Sequence, residues 1–213
     1  MNPVRAIAGS CLALAAIAAL AACGALVGHG VTLSLFEMKT DMAPVTYRAP
    51  GHCTAAGYRA ESHPGEGATM AVSSGPGNVP VVQVDVRLKP GATFSFASST
   101  AQLKIPSQAT ARDVPIPDFS YTEYPRGTRA SQASDSVLSG PAPNTPVAKF
   151  FPNHRVEYVE AYDFEADVKA DPGNAAEFVL QLPDAIVDGK RIQLAPIAFA
   201  KREIRYVEDA CLR

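Results

Sequence analysis

Apolar and polar residues alternate along several short stretches of this chain, and the alternation predicts β-strands. The clearest stretch is 82–89, where valine or leucine at even positions alternates with Gln, Asp, Arg and Lys at odd positions. Residues 31–35 follow the same period of two. Successive side chains of a strand point to opposite faces of a sheet, so each of these strands has one buried face and one wet face. After the N-terminal segment, no run has apolar residues at helical spacing.

The last third of the chain predicts four further strands, at 156–168, 177–182, 186–194 and 197–207. Turn sequences separate them, and Asp188-Gly189 suits a tight hairpin because both residues tolerate positive φ. Eight or so short strands with such turns imply two packed sheets. We therefore predict an all-β fold, a two-sheet antiparallel β-sandwich of immunoglobulin-like architecture. The chain departs from the immunoglobulin pattern because it has no tryptophan and no cysteine pair at sheet-bridging separation, so the prediction concerns the architecture and not the family.

Between residues 106 and 152 the composition changes to proline, serine, threonine and alanine. Proline lacks the N–H that a sheet ladder needs, so we expect a long loop excursion over the surface of the sandwich. Phe119, Tyr121 and Tyr124 place aromatic rings in this excursion, and exposed aromatic rings commonly anchor a partner. The excursion is therefore the predicted contact surface for an envelope protein or a glycan. The alternative is that these rings pin the loop to the sandwich.

The N-terminal segment has the layout of an export signal. Arg5 is the only charged residue before a run, Ala6 to Ala22, that has no charged side chain. The sequence Leu20-Ala-Ala-Cys23-Gly24 at the end of this run resembles the lipobox of bacterial lipoproteins. The resemblance implies that a diacylglyceryl group is attached to the Cys23 thiol and that cleavage makes Cys23 the first mature residue. Glycine rather than aspartate at position 24 implies sorting to the outer membrane more than to the inner.

Two other interpretations of this segment stay open. An ordinary signal peptide would release a soluble protein, and an uncleaved helix from Ala6 to Val27 would be long enough to cross a bilayer. Under the lipoprotein interpretation the chain divides into a signal peptide (1–22), a lipid anchor with a short tether (23–30) and a single sandwich domain (31–213). The domain would then face the periplasm, held close to its membrane by the N-terminal lipid.

The cysteines predict a disulfide. Of the four cysteines, Cys11 would leave with the signal and Cys23 would carry lipid. Cys53 and Cys211 remain, in a compartment that oxidises thiol pairs, so we predict a bond between them. A free reactive thiol at Cys53 is the alternative.

The charge balance and the absence of known motifs narrow the classes of function that the sequence supports. With 19 basic and 21 acidic residues, the chain lacks the basic excess typical of proteins that bind nucleic acid. It has no nucleophile elbow and no phosphate-binding glycine loop, and we predict no cofactor and no metal. Three further groups are weaker candidates: Glu160 as an acid or base on an apolar strand face, Asp163, Glu165 and Asp167 as calcium ligands, and His52, His63 and Glu66 as an open metal site. A bulge or sheet rim explains Glu160 more simply, a solvated strand face explains the three acids, and the spacing of the histidines fits no known ligand motif.

These observations favour a membrane-anchored periplasmic lipoprotein that acts as a binding or structural module of the cell envelope. The alternative is an envelope hydrolase whose site is assembled from loop residues.

Overall fold

The computed structural model of the chain describes residues 30–49, 56–77, 79–124, 126–147 and 157–207. Cys23, Cys53 and Cys211 lie outside these residues, so lipidation and the disulfide stay predictions. Among the residues described, no helix has the length and hydrophobicity needed to cross a bilayer.

The described residues form sixteen β-strands and no helix. The strands are β1 (Gly30–Thr40), β2 (Val45–Arg48), β3 (Gly57–Gly65), β4 (Ala68–Ser74), β5 (Val81–Leu88), β6 (Thr93–Phe96), β7 (Thr100–Lys104), β8 (Arg112–Pro115), β9 (Phe119–Glu123), β10 (Thr128–Gln132), β11 (Leu138–Ser139), β12 (Tyr162–Lys169), β13 (Glu177–Gln181), β14 (Ala185–Val187), β15 (Lys190–Ile192) and β16 (Ile197–Val207).

The strands are divided among three sheets. The orders are β1-β16-β13-β7-β8, β10-β9-β12-β5-β4-β3-β2 and β11-β6-β14-β15. All ladders between these strands are antiparallel. The prediction of an all-β fold built from antiparallel sheets is confirmed, and its immunoglobulin-like form stays a prediction.

One hydrophobic core is shared by all three sheets. Phe164 of β12, Phe178 of β13 and Phe94 of β6 are all buried in it, one from each sheet. Phe178 stacks on Phe199 with ring centroids 4.8 Å apart and meets the edge of Phe36 at 5.4 Å. Burying one such ring stabilises a fold by roughly 1.5–3 kcal/mol, so these phenylalanines contribute strongly to the core that the three sheets share.

The hairpin predicted at Asp188-Gly189 joins β14 to β15. Asp188 and Gly189 have φ of 49° and 77°, the positive values that a tight hairpin turn requires. The Asp188 carboxylate also accepts hydrogen bonds from the Thr93 backbone N–H at 2.8 Å and from its hydroxyl at 3.2 Å. The turn is thereby fastened to β6, the next strand of the same sheet.

The described part of the segment 106–152, residues 106–124 and 126–147, has more regular structure than the sequence predicted. It contains β8, β9, β10 and β11, which add to the edges of all three sheets. Proline at the end of an edge strand does not prevent this, because a missing N–H there breaks no ladder. Pro115, for example, is the last residue of β8, which is itself an edge strand. The expected loop excursion is thus corrected to four short strands with irregular connections.

Gly140, directly after β11, allows a close crossing of two chain segments. A Cβ at this position would overlap the Lys89 carbonyl oxygen and lie 2.7 Å from its carbon. The Gly140 N–H also donates to the Ala92 carbonyl oxygen at 3.0 Å, so this crossing cannot open without the loss of a hydrogen bond.

We predict that Gly140→Ala lowers the free energy of unfolding by about 2 kcal/mol, because backbone must move to admit the methyl group. Thermal unfolding should then shift down by about 4–8 °C. Gly75→Ala is the matched control, since nothing lies within 4 Å of a Cβ built there. Equal losses in the two variants would show that the crossing is not tight.

Candidate functional site

Strands β9 and β12, neighbours in the seven-stranded sheet, separate at one end. Their ladder contains a single residue pair, Glu165 with Ser120. On its other side β12 pairs with β5 along its whole length, Tyr162 to Lys169, and β9 pairs in the same way with β10. On the sides that face away from each other, β12 is therefore paired with β5 and β9 with β10, while a cleft opens between β9 and β12.

This cleft, which we call the tyrosine cleft, has a volume of about 370 Å³. One wall is formed by β9 and the turn after it, and the other by β12 with residues 157–161 before it. Backbone hydrogen bonds of 2.8 Å, from Val147 to Glu157 and from Val159 to Thr145, brace that second wall. The lining residues are Arg87, Ser120, Tyr121, Thr122, Tyr124, Arg129, Val147, Tyr158, Val159, Glu160, Ala161, Tyr162, Asp163 and Glu165.

Four tyrosines dominate the lining. The ring of Tyr162 neighbours those of Tyr121 and Tyr124, with centroids 5.6 Å and 6.4 Å away. The rings of Tyr124 and Tyr162 are nearly parallel, at 16°. Tyr121 also packs on the buried Phe164 at 4.8 Å, which ties this cluster to the core. Tyr158 is 53% exposed, so it offers a ring that is free to contact a ligand.

The Tyr121 hydroxyl stays protonated at physiological pH. Burial raises the pKa of Tyr121 above its ordinary value of 10.0, and the charge of Glu123 and the neighbouring Tyr162 raise it further. A protonated phenol is neutral and both donates and accepts hydrogen bonds. Tyr121 can therefore serve a ligand in either role.

Two exposed ion pairs connect residues on different strands around the cleft. Arg87 lies 3.4 Å from the Asp163 carboxylate, and Arg129 lies 3.8 Å from the Glu165 carboxylate. Arg129 also donates to the Ser120 hydroxyl at 2.7 Å. Exposed pairs stabilise a fold by only about 0–1 kcal/mol. Their larger effect is to set hydrogen-bond donors and acceptors side by side at the cleft.

Of the three residues predicted to contact a partner, the structure brings two together at this cleft. Tyr121 and Tyr124 line it, but Phe119 does not. Phe119 is 1% exposed and stacks on Phe96 at 6.1 Å. The contact role of Phe119 is therefore corrected to a core role, because its side chain points between the sheets from the paired part of β9.

The acidic candidates are solvated residues beside or on β12. Asp163, Glu165 and Asp167 take successive exposed positions, as predicted, and the first two face arginines. Glu160 is exposed and precedes the strand, so it does not interrupt an apolar strand face. In the part of the chain that the structure describes, no group of three His, Cys, Asp or Glu side chains is placed to hold a metal ion.

The histidine loop candidates are only partly described. His52 lies outside the described residues. His63 Nδ1 lies 3.1 Å from the Thr69 hydroxyl, a cross-strand contact that accounts for its position without a ligand.

A second tyrosine pair lies on the opposite edge of the same sheet. Tyr47 of β2 and Tyr58 of β3 have ring centroids 4.9 Å apart, beside a hollow of about 410 Å³. Five strand steps separate β2 from β9, or about 24 Å at the usual strand spacing. This hollow has two rings, which pack on each other, whereas the tyrosine cleft has four.

Tyr158, Tyr162, Arg87 and Arg129 line the cleft but could not be predicted as site residues from the sequence. No local spacing links them to Tyr121 and Tyr124, since it is the pairing of β9 with β12 and β10, and of β12 with β5, that brings them together. Neither a protein-family model, nor a curated protein, nor a solved structure matches the chain. The geometry of the cleft is therefore the basis for the function.

Proposed function

We propose that the protein is a membrane-anchored lipoprotein of the bacterial cell envelope that binds its ligand or partner through the tyrosine cleft. The observation that carries the proposal is the convergence of four tyrosines and two arginines on one open cleft. Tyrosine and arginine are, with tryptophan, the residue types most enriched where binding energy is concentrated. Tyrosine also supplies contact area at low entropic cost, because it has only two side-chain torsions.

The position of the predicted anchor supports this arrangement. Seven residues lie between Cys23 and Val31, a tether of at most about 25–30 Å. It leads into β1, an edge strand that also bridges to Pro76 just after β4. The cleft lies beyond β4 and β5, at β12 and β9. An anchored domain would therefore keep the cleft strands away from its tethered strand.

The alternative, an envelope hydrolase, requires convergent titratable groups that are shielded from water. The carboxylates at the cleft are exposed, and Asp163 and Glu165 are engaged by arginines. Binding is the function that this arrangement favours.

We predict that a photo-crosslinking phenylalanine analogue at position 158 captures an adduct in intact cells. The side chain of Tyr158 is exposed at the cleft, so an occupant would lie within reach of the reactive group. Position 47 is the matched control, because Tyr47 is 47% exposed on the distant edge of the sheet. Mass spectrometry should find an adduct at 158 and none at 47; equal capture at both positions, or none at 158, would contradict the proposed site.

A further inference from the structure

We infer that the tyrosine cleft recognises a neutral saccharide, with about two sugar rings of a longer glycan held between β9 and β12. This inference rests on the proposed binding function and names the chemical class of the ligand. It follows from three features of the cleft: its size, its aromatic surface and its paired, nearly neutral charges.

The size of the cleft suits a small polar ligand. Its volume of about 370 Å³ lies near the lower end of the range for small-molecule sites, roughly 300–1,000 Å³. A stable protein interface is a broad surface of about 800 Å² on each partner. The cleft opens to solvent, so a glycan chain can continue beyond the rings that it holds.

The aromatic surface suits the apolar face of a sugar ring. A pyranose presents several C–H bonds on one side, and these carry partial positive charge that the negative face of an aromatic ring attracts. Tyr124 and Tyr162 bring two nearly parallel rings to the lining of the cleft, with centroids 6.4 Å apart. Tyr158, on the segment before β12, provides a further, exposed ring.

The polar groups suit neighbouring hydroxyls. Each sugar hydroxyl both donates and accepts, so adjacent hydroxyls are matched by a guanidinium beside a carboxylate. The pairs Arg87–Asp163 and Arg129–Glu165 provide this combination twice. Each of these arginines is matched by a carboxylate, and the carboxylate of Glu160 leaves the two arginines and three acids of the lining with a net charge of only −1. The cleft therefore favours a neutral ligand over a strongly charged one.

An extended peptide is the main competitor. It would add to β9 or β12 through main-chain hydrogen bonds, as peptides do at open sheet edges. Such binding has no need of four tyrosines and two ion pairs, which is why a saccharide is favoured. The experiment must separate these two ligands.

The mature lipoprotein in detergent, with isotope-labelled tyrosine rings, should be titrated by NMR with neutral disaccharides of glucose, galactose, mannose and N-acetylglucosamine. An extended hexapeptide of alternating Val and Thr serves as the peptide probe. At least one disaccharide should shift the signals of Tyr121, Tyr124, Tyr158 and Tyr162 saturably and leave Tyr47 and Tyr58 unchanged. Tyr158→Ala should weaken binding about tenfold, the loss expected for one stacked ring, and Tyr47→Ala should not change it.

Shifts with the peptide alone, or no shift with any disaccharide, would overturn the saccharide inference. The proposed function would survive either result if position 158 still captured a protein in cells. Failure of capture at 158 would instead count against the function, whatever the titration shows. The saccharide inference and the proposed function are therefore refuted by different results.

Discussion

Removing the disulfide predicted between Cys53 and Cys211 should lower the free energy of unfolding by about 5 kcal/mol. The bond would close a loop of more than 100 residues, and a cross-link of that length strongly restricts the unfolded chain. Cys211 follows β16, whose ladder with β1 runs from Ile197 to Val207, so the bond would also secure the end of this ladder. The measurement is urea unfolding of a Cys53→Ser, Cys211→Ser double variant beside the oxidised protein.

Reduction of the wild-type protein is the control, and it should reproduce the stability of the double variant. Alkylation without reductant should label neither cysteine, and digestion should yield one linked peptide containing both. Stoichiometric labelling of Cys53 in freshly isolated folded protein would refute the bond and favour the free thiol.

Phe119→Ala should destabilise the protein by about 3–5 kcal/mol, the usual cost of deleting a buried phenylalanine ring. The ring is 1% exposed and stacks on Phe96, so its removal leaves a cavity beside β6 as well as β9. The transition in thermal unfolding should fall by about 6–20 °C.

Tyr124→Ala is the matched comparison, since it removes an aromatic ring from the same segment at the rim of the cleft. Tyr124→Ala should lower the free energy of unfolding by less than about 1.5 kcal/mol, because the ring is only partly buried. The opposite ranking, with Phe119→Ala harmless to stability but damaging to ligand binding, would return Phe119 to the contact surface.

Strands with one buried and one solvent-exposed face could be predicted, because the alternation of apolar and polar residues that marks them lies within a few adjacent residues. In β5, Val82, Val84, Val86 and Leu88 are all buried, and the residues between them lie on the other face of the strand. The same holds for the Asp188-Gly189 turn, whose chemistry is contained in two adjacent residues. Patterns of this kind depend only on residues adjacent in sequence, so they can be recognised without knowledge of the fold.

The last strand shows where local patterns mislead. Ile197 and Phe199 share one parity and Ile204 has the other, which predicts a bulge or a change of sheet near residue 202. The ladder with β1 instead runs on without a register shift. The switch arises because pairing with β13 ends at Ala200, so β16 leaves the core that buries Ile197 and Phe199.

The tyrosine cleft lay beyond sequence reasoning for a physical reason. About 40 residues separate Tyr121 from Tyr162, and one residue pair between β9 and β12 joins their strands. Tyr121 and Tyr124 could be singled out as aromatic residues in a polar segment. Phe119 could not be told from them, because its burial depends on which sheet β9 joins.

The intact mass and N-terminal peptide of the protein extracted from cell membranes test the central claim, that this chain is a lipid-anchored envelope protein. Both the disulfide and an envelope ligand depend on export. We predict a mature chain that begins at Cys23 and carries a diacylglyceryl group on its thiol, and we predict that Cys23→Ala abolishes the lipid. A mature chain that begins elsewhere, or that carries no lipid on Cys23, would contradict the claim.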